Sequence, residues 1–466
     1  MKATTQKMNL KTTLQTQTAK IHLKTQQTIL HKTVLVILIR NKKIFYNKDY
    51  LYKQDSLYYR ILVFIKKYKE KGCNMLLIKN GKILTMAGNV LERGCILIEK
   101  NKIISIEENI EISDDSDATV IDASGLWVLP GLIEAHCHIG ISEEKVGIAG
   151  EDCNETTLPI TPYIRALDTV NPLDPAFHNA IQAGITSVMV GPGSSNVVGG
   201  QFLFMKTHGR VIDKMKVLEP AAMKIAFGEN PKNSYKDLNK PPSSRMTIAA
   251  MLREELFNAV KYKKKKMKAE SNDEEIEEDF KLESWLPVLD KKIPLKAHVH
   301  RTDDILTAIR IAKEYNLNLT LDHCSEGHII ADEINESGFP AIVGPDMTCK
   351  SKIELANADF KTAGVLVKKG VMIAITTDHP VSLIQYLPIC AGLAAKSGLG
   401  IEEAMKAITI NAATICGVDK RVGSLEVGKD ADISIFTGNP MEVFTHTAYT
   451  IIDGEIIYKW SDDNEN

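Results

Sequence analysis

The sequence predicts an α/β protein: a closed barrel of strands and helices beside a small sheet domain made from both chain ends. Three observations carry this expectation. Short apolar runs alternate with helical stretches from Val128 to about Ile415. On either side of that region the residues alternate apolar and polar, with turn signals between the runs. Histidines and one aspartate stand at the ends of several apolar runs.

The chain has 466 residues, 44% hydrophobic and 25% charged, which is ordinary globular composition and room for one large barrel plus a smaller companion. The net charge of −2 hides an asymmetry. Residues 1–74 hold 16 Lys and Arg against three acids, Asp49, Asp55 and Glu70. The remaining chain is therefore acidic, which argues against nucleic-acid binding, since that needs a basic face. Eight cysteines lie dispersed with no CxxC pair, as in a reduced cytoplasmic protein. No apolar run approaches the ~20 residues of a membrane span.

Residues 1–74 do not resemble the rest: Lys, Gln and Thr, then Tyr and Lys, with no Pro and no Gly before Gly72. Lys71-Gly72-Cys73-Asn74 is encoded by AAR-GGN-TGY-AAY, which places a purine-rich ribosome-binding sequence just before Met75. We expect Met75 to be the true start; a basic tail that touches membrane or nucleic acid is the alternative.

From Met75, MLLIKNGKILTMAGNVLERGCILIEKNKIISIEE reads as short strands in hairpins, with Asn-Gly, Gly and Asn-Lys turns. The barrel region follows. Ile185–Val190, Pro294–Val299, Leu317–Asp322, Ala341–Val343 and Val371–Thr376 read as buried strands. Asp303–Tyr315 reads as a helix with Ile305, Ala308, Ile309 and Ala312 on one face. This alternation implies a parallel sheet, and so many repeats close most economically into a barrel. Residues 261–283, a basic run then an acidic one, interrupt it as a surface helix pair or loop; a solvated face is the plain reading and a substrate lid the other. After residue 420, GSLEVGKDADISIFTGNP and AYTIIDGEIIYK return to strand character. The expected division is residues 75–130 and 419–460 in the end domain and 131–418 in the barrel.

The strongest local signal is Leu129-Pro130-Gly131-Leu132-Ile133-Glu134-Ala135-His136-Cys137-His138. On a strand, residues two apart share a face, so His136 and His138 converge while Cys137 turns away. Two imidazoles at the C-terminal end of a barrel strand suit a divalent metal. LKAHVHR adds His298 and His300, NLTLDHCSEGH adds His323, and VMIAITTDHP adds Asp378, each at the end of its apolar run.

PGLIEAHCH, the later histidines, TTDHP and the closing GSLEVGKDADISIF resemble the amidohydrolase superfamily, in its imidazolonepropionase-like and prolidase-like neighbourhood, over residues 75–460. The resemblance implies a distorted (β/α)8 TIM barrel with a β-sandwich formed by both chain ends. It implies His136 and His138 as first-strand metal ligands, His298 and His323 as fifth- and sixth-strand ligands, and Asp378 as the eighth-strand ligand and catalytic base. It also implies one or two divalent ions, with zinc favoured over Fe, Mn or Co. Binuclear relatives often bridge two ions with a carboxylated lysine at the end of the fourth strand. Lys224, among Ala221, Ala222, Met223, Ile225 and Ala226, is the residue in that place. His300 is left as a substrate contact or a hydrogen-bonded barrel histidine, and His379 is expected to face away from Asp378.

The Gly191–Gln201 stretch lacks the features of a phosphate loop and reads as a loop over the barrel mouth after the second strand. Gln201 and Arg301 join His300 as substrate-contact candidates; Arg245 and Lys350 are further anchors for a substrate carboxylate. The expected activity is metal-assisted hydrolysis of a carbon–nitrogen bond in an amide, cyclic amide or dipeptide, on a small-molecule substrate. A homo-oligomer is compatible with the sequence. A mononuclear deaminase is the alternative, weakened because Val299 to Asp304 after His298 contain no glutamate. A non-catalytic relative is the third reading, weakened by the complete ligand set.

Overall fold

The computed structural model describes residues 75–112, 117–144 and 147–461. The expected tail at 1–74 lies outside them. Among the described residues sixteen strands form two eight-stranded sheets, one for the barrel and one from the segments on either side of it.

The end sheet begins with β1 (Met75–Leu84), β2 (Val90–Glu99), β3 (Lys102–Glu107), β4 (Thr119–Asp122) and β5 (Trp127–Pro130). The barrel sheet holds β6 (Leu132–Cys137), β7 (Ile185–Val190), β8 (Val198–Lys206), β9 (Lys216–Ala226), β10 (Leu295–Val299), β11 (Leu319–His323), β12 (Ala341–Val343) and β13 (Ile373–Ile375). The chain then returns to the end sheet with β14 (Ile433–Phe436), β15 (Thr447–Ile452) and β16 (Glu455–Lys459). The end sheet runs β16-β15-β14-β5-β1-β2-β3, with β4 also on β1, so β14 beside β5 ties the two chain ends together. Its apolar faces share a core of Ile78, Ile83, Ile96, Ile98, Val128 and Ile433.

The barrel strands lie in chain order from β6 to β13. The sheet is not wholly parallel as expected: β8 runs antiparallel to both β7 and β9. The reason is the short connection. Only residues 191–197 separate β7 from β8. A parallel crossover needs a dozen or more residues, so the chain can only turn back as a hairpin. The Gly191–Gln201 stretch is thus part loop and part strand.

No ladder joins β6 to β13, so the barrel is nearly closed, and side chains complete the seam. Glu134 Oε2 accepts from the Thr377 N–H and hydroxyl at 2.8 and 2.7 Å, while its Oε1 accepts from His136 N–H at 3.1 Å. Thr376 Oγ1 donates to His136 O at 2.6 Å, and His138 N–H donates to His379 O at 2.8 Å. Burial raises the Glu134 carboxyl to about 7, against the hydrogen bonds that favour its charge.

The outer helices pack by ordinary rules. Asp303 and Asp304 occupy the first turn of Thr302–Glu314, where acidic groups favour the helix dipole. The helix Arg245–Asn272 is capped by Ser244 Oγ, which accepts from Thr247 N–H at 3.2 Å. It covers much of the charged 261–283 stretch, where Lys263 pairs with Asp290 at 2.6 Å and Lys266 with Glu283 at 2.5 Å. Among the described residues no helix is long and apolar enough to cross a membrane.

Candidate metal centre

The ends of β6, β9, β10, β11 and β13 bring five histidines, Lys224 and Asp378 together at one mouth of the barrel. His138 Nε2 lies 3.2 Å from Asp378 Oδ1, and His136 Nε2 lies 3.5 Å from the same oxygen. Lys224 Nζ is 3.4 Å from His136 Nε2. The rings of His298 and His323 are 4.5 Å apart, and His323 lies 5.1 Å from His136. Cys137 turns to the opposite face, into the core between barrel and helices, as strand alternation requires.

Each imidazole has an oxygen beside its Nδ1. Asp322 Oδ2 is 3.0 Å from His136, Gly191 O 2.7 Å from His138 and Ser194 Oγ 2.9 Å from His298. Ser325 Oγ is 2.8 Å from His300, and Gly344 O 2.8 Å from His323. Beside His136, His138 and His323 the oxygen is a carboxylate or carbonyl that can only accept, so Nδ1 carries a proton there; the serine hydroxyls beside His298 and His300 can donate or accept. Metal-ligating histidines are oriented in this way.

The electrostatics agree. Burial, then the nearby cations and histidines, hold His136 and His298 well below the ordinary histidine range. Burial does the same to His323. These rings are neutral at physiological pH, as ligands must be. His138 differs: against burial, Cys153 and Asp378 beside it raise it to about 10. A cation and a proton would compete there for one lone pair. Asp378 stays a carboxylate because His323, His138 and Lys224 outweigh its burial. Lys224 is fully buried, which lowers its ammonium to about 8.

Several buried polar atoms here make no hydrogen bond: His323 Nε2, Asp378 Oδ1, Glu354 Oε1, and also His136 Nδ1 and Asp322 Oδ2, which face each other at 3.0 Å without hydrogen-bond alignment. Such orphans are costly unless a ligand engages them. Two sets, His136 with His323 and Asp378, and His298 with His300 and His323, each place one donor atom per residue within 4.8 Å of the others. The residues therefore fit divalent cations.

The backbone is strained at the same places. His323, Cys324 and Asp378 have φ of 71°, 50° and 52°. Left-handed non-glycine residues cost about 1–3 kcal/mol each and cluster at functional sites. The left-handed turn at His323 also breaks strand alternation, so Asp322 and His323 both reach toward His136.

Not every candidate reaches this cluster. Arg301 turns to Asp303 at 3.0 Å, and Gln201 Nε2 donates to Pro162 O at 3.1 Å. Arg245 pairs with Asp304 at 3.0 Å, and Lys350 donates to Ala356 O at 2.9 Å. His379 Nδ1 accepts from Ile384 N–H at 3.2 Å, away from Asp378 as expected. Four groups went unforeseen. Glu134 staples the seam; Asp322 orients His136; Lys296 Nζ donates to Asp322 Oδ1 at 3.2 Å; Glu354 Oε1 lies 3.9 Å from His298 Nε2. Lys296 could have been noticed, because it shares a strand face with His298 and His300.

Comparison with known proteins supports the fold. The sequence profile of the amidohydrolase family matches residues 127–457. The solved structure of an amidohydrolase from Thermotoga maritima shares 39% identity and a TM-score of 0.80, covering 83% of this chain and all of that one. An imidazolonepropionase of Fusobacterium nucleatum is 24% identical over 78% of this chain and 92% of its own length. The amidohydrolase tasK of Hapsidospora irregularis is 26% identical over 78% of this chain, which matches only 39% of the tasK chain. A prolidase solved with N-methylphosphonate-L-proline, 16% identical with a TM-score of 0.52 over 83% of this chain and all of its own, shares the fold. The chain belongs to the amidohydrolase family and, by that membership, to the hydrolases of carbon–nitrogen bonds.

Proposed function

We propose that the protein hydrolyses an amide, cyclic amide or dipeptide bond of a small molecule at a divalent metal centre, with zinc the favoured ion. The observation that carries this is the set of five imidazoles, each with Nδ1 beside an oxygen and Nε2 left for the barrel mouth. His136, His138, Lys224, His298, His323 and Asp378 would hold the metal. Bound there, a divalent ion supplies acidification of water and polarisation of the scissile carbonyl.

The protein's own groups do the rest. Asp378, ionised and with Oδ1 beside the His136 and His138 rings but in no hydrogen bond, takes the proton of the attacking water and passes it to the leaving nitrogen. Asp322 sets a carboxylate against the His136 ring, and Ser194 holds that of His298 by a hydrogen bond. A carboxylated Lys224 would join two ions. We read residues 75–130 and 419–460 as a sandwich-like companion to the barrel of 131–418, and the protein as cytoplasmic. A homo-oligomer is compatible with this reading.

One observation favours the deaminase alternative. Glu354, from the segment after β12, brings a carboxylate to His298 that the residues following His298 lack. The test is metal content per chain beside turnover of dipeptides, N-acyl amino acids and cyclic amides, with ammonia release followed in parallel. Bound metal with cleavage of one of these substrate classes is expected. Ammonia release from an amino-heterocycle by a one-metal protein would install the deaminase instead. A chain that binds no divalent ion would end both readings.

A further inference from the structure

The barrel mouth contains more donors than the expected ligand set. His300 is oriented like the two ligand histidines beside it. Its Nδ1 meets Ser325 Oγ at 2.8 Å, just as His298 meets Ser194 at 2.9 Å and His323 meets Gly344 O at 2.8 Å. Its ring stacks on His323 at 4.9 Å and stands edge-on to His298 at 4.6 Å. One nitrogen from each of the three lies within 4.8 Å of the others.

Glu354 faces this group. It is 1% exposed, and its Oε1 lies 3.9 Å from His298 Nε2 and 3.9 Å from His300 Nε2. The carboxylate is held in place from behind. Oε2 accepts from Glu229 N–H at 2.9 Å. Gly228, at φ +84°, leaves it room, because a Cβ there would stand 2.5 Å from Oε2. Oε1 has no hydrogen-bond partner. The nearest cation, Lys352 Nζ at 3.7 Å, donates instead to Asn230 Oδ1 at 2.6 Å.

A buried carboxylate oxygen flanked by two imidazoles and without a hydrogen bond is costly unless a cation engages it. Zinc binds nitrogen and carboxylate oxygen at about 2.0–2.2 Å, which separates neighbouring donors by roughly 3–4 Å. The 3.9 Å spacings need only a small closure to meet that. We propose that His300 and Glu354 join His298 and His323 as ligands of a second divalent cation. This rests on the metal-dependent reading above. It makes His300 a ligand where the sequence suggested a substrate contact.

The test is a zinc titration of the chelator-treated full chain, wild type beside Glu354→Gln and His300→Asn, with bound metal counted by mass spectrometry. Melting of each metal-free variant checks its fold. We expect the wild type to take two ions. Each variant should keep one tight ion and bind the other on the order of 100-fold more weakly, the upper end of what even outer partners of a metal site cost. Two ions at unchanged affinity in both variants would overturn the inference and leave the metal-dependent reading standing. A single ion in the wild type would also overturn it. No ion in the wild type would remove the reading itself. A crystal structure of the zinc-loaded wild type decides the matter without substitution: Glu354 Oε1 beyond about 3 Å from any zinc overturns the inference.

Discussion

Two buried polar clusters lie at opposite ends of the barrel, and they are built differently. At the floor, Lys206 at the end of β8 sits between Asp430 and Asp432 from the segment leading into β14. Every carboxylate oxygen there has a partner. Asp430 meets Lys102 at 2.5 Å, Lys206 at 3.1 Å and Arg421 at 2.7 Å. Asp432 meets Lys206 and accepts from Asp453 N–H at 2.9 Å. At the mouth, by contrast, Asp378 Oδ1, Glu354 Oε1 and His323 Nε2 make no hydrogen bond, and three residues carry left-handed strain. A cluster that holds two sheets together satisfies itself. A cluster made to engage something else leaves donors open and tolerates strain to aim them.

The contrast can be broken at either end. The largest effect should come from Asp378→Asn: turnover falls by about 10²–10⁴-fold while the melting temperature stays put. Steady-state kinetics beside a thermal melt checks this, and retained activity would remove Asp378 as the base. Lys206→Met should do the reverse. Removing one partner of a buried ion pair leaves stranded charges and costs about 3–5 kcal/mol. Urea unfolding should show that loss, with metal content unchanged; an unaffected midpoint would mean the floor cluster holds nothing together.

Asp322→Asn sharpens the comparison, because Asp322 belongs to the mouth yet is not read as a ligand. It should weaken metal binding by about 10–100-fold without unfolding the protein. A competition titration against a chelating dye measures this, and unchanged affinity would make Asp322 a bystander. The smallest effect concerns the seam. Glu134 has its carboxyl raised from 4.5 to about 7, chiefly by burial. The folded state therefore holds a proton there that the unfolded state releases. Stability from this group is present below about 4.5 and is lost as pH rises toward about 7. The depressed histidines act alike in both proteins, so the urea midpoint of the metal-free wild type relative to Glu134→Gln should fall between pH 5 and 8; a difference constant with pH would mean that Glu134 holds no such proton.

Much of the site was legible because strand periodicity makes it so. His136 and His138 share a face at a two-residue spacing, and each later candidate stands where an apolar run stops. Lys224 showed itself as a charge among alanines. Glu354 did not, because nothing near Ser351-Lys352-Ile353-Glu354 distinguishes a buried carboxylate from a surface one. Ser194 looked like loop composition, and its role exists only because β8 folds back and brings its loop to β10. Arg301 looked like an anchor, but Asp303 two residues away claims it.

The sequence by itself determined the local things: which segments are strands, which face each histidine takes, and that the segments flanking the barrel, from Met75 and after residue 420, are sheet. Periodicity and turn chemistry are written residue by residue, so they can be read that way. Tertiary structure decided what depends on segments meeting: the reversed β8, the seam at Glu134, the pairing of Asp322 with His136 and the arrival of Glu354 beside His298 and His300. Those contacts join residues tens to hundreds of positions apart. The role of a buried carboxylate depends on what it faces across the barrel, and no local pattern records that.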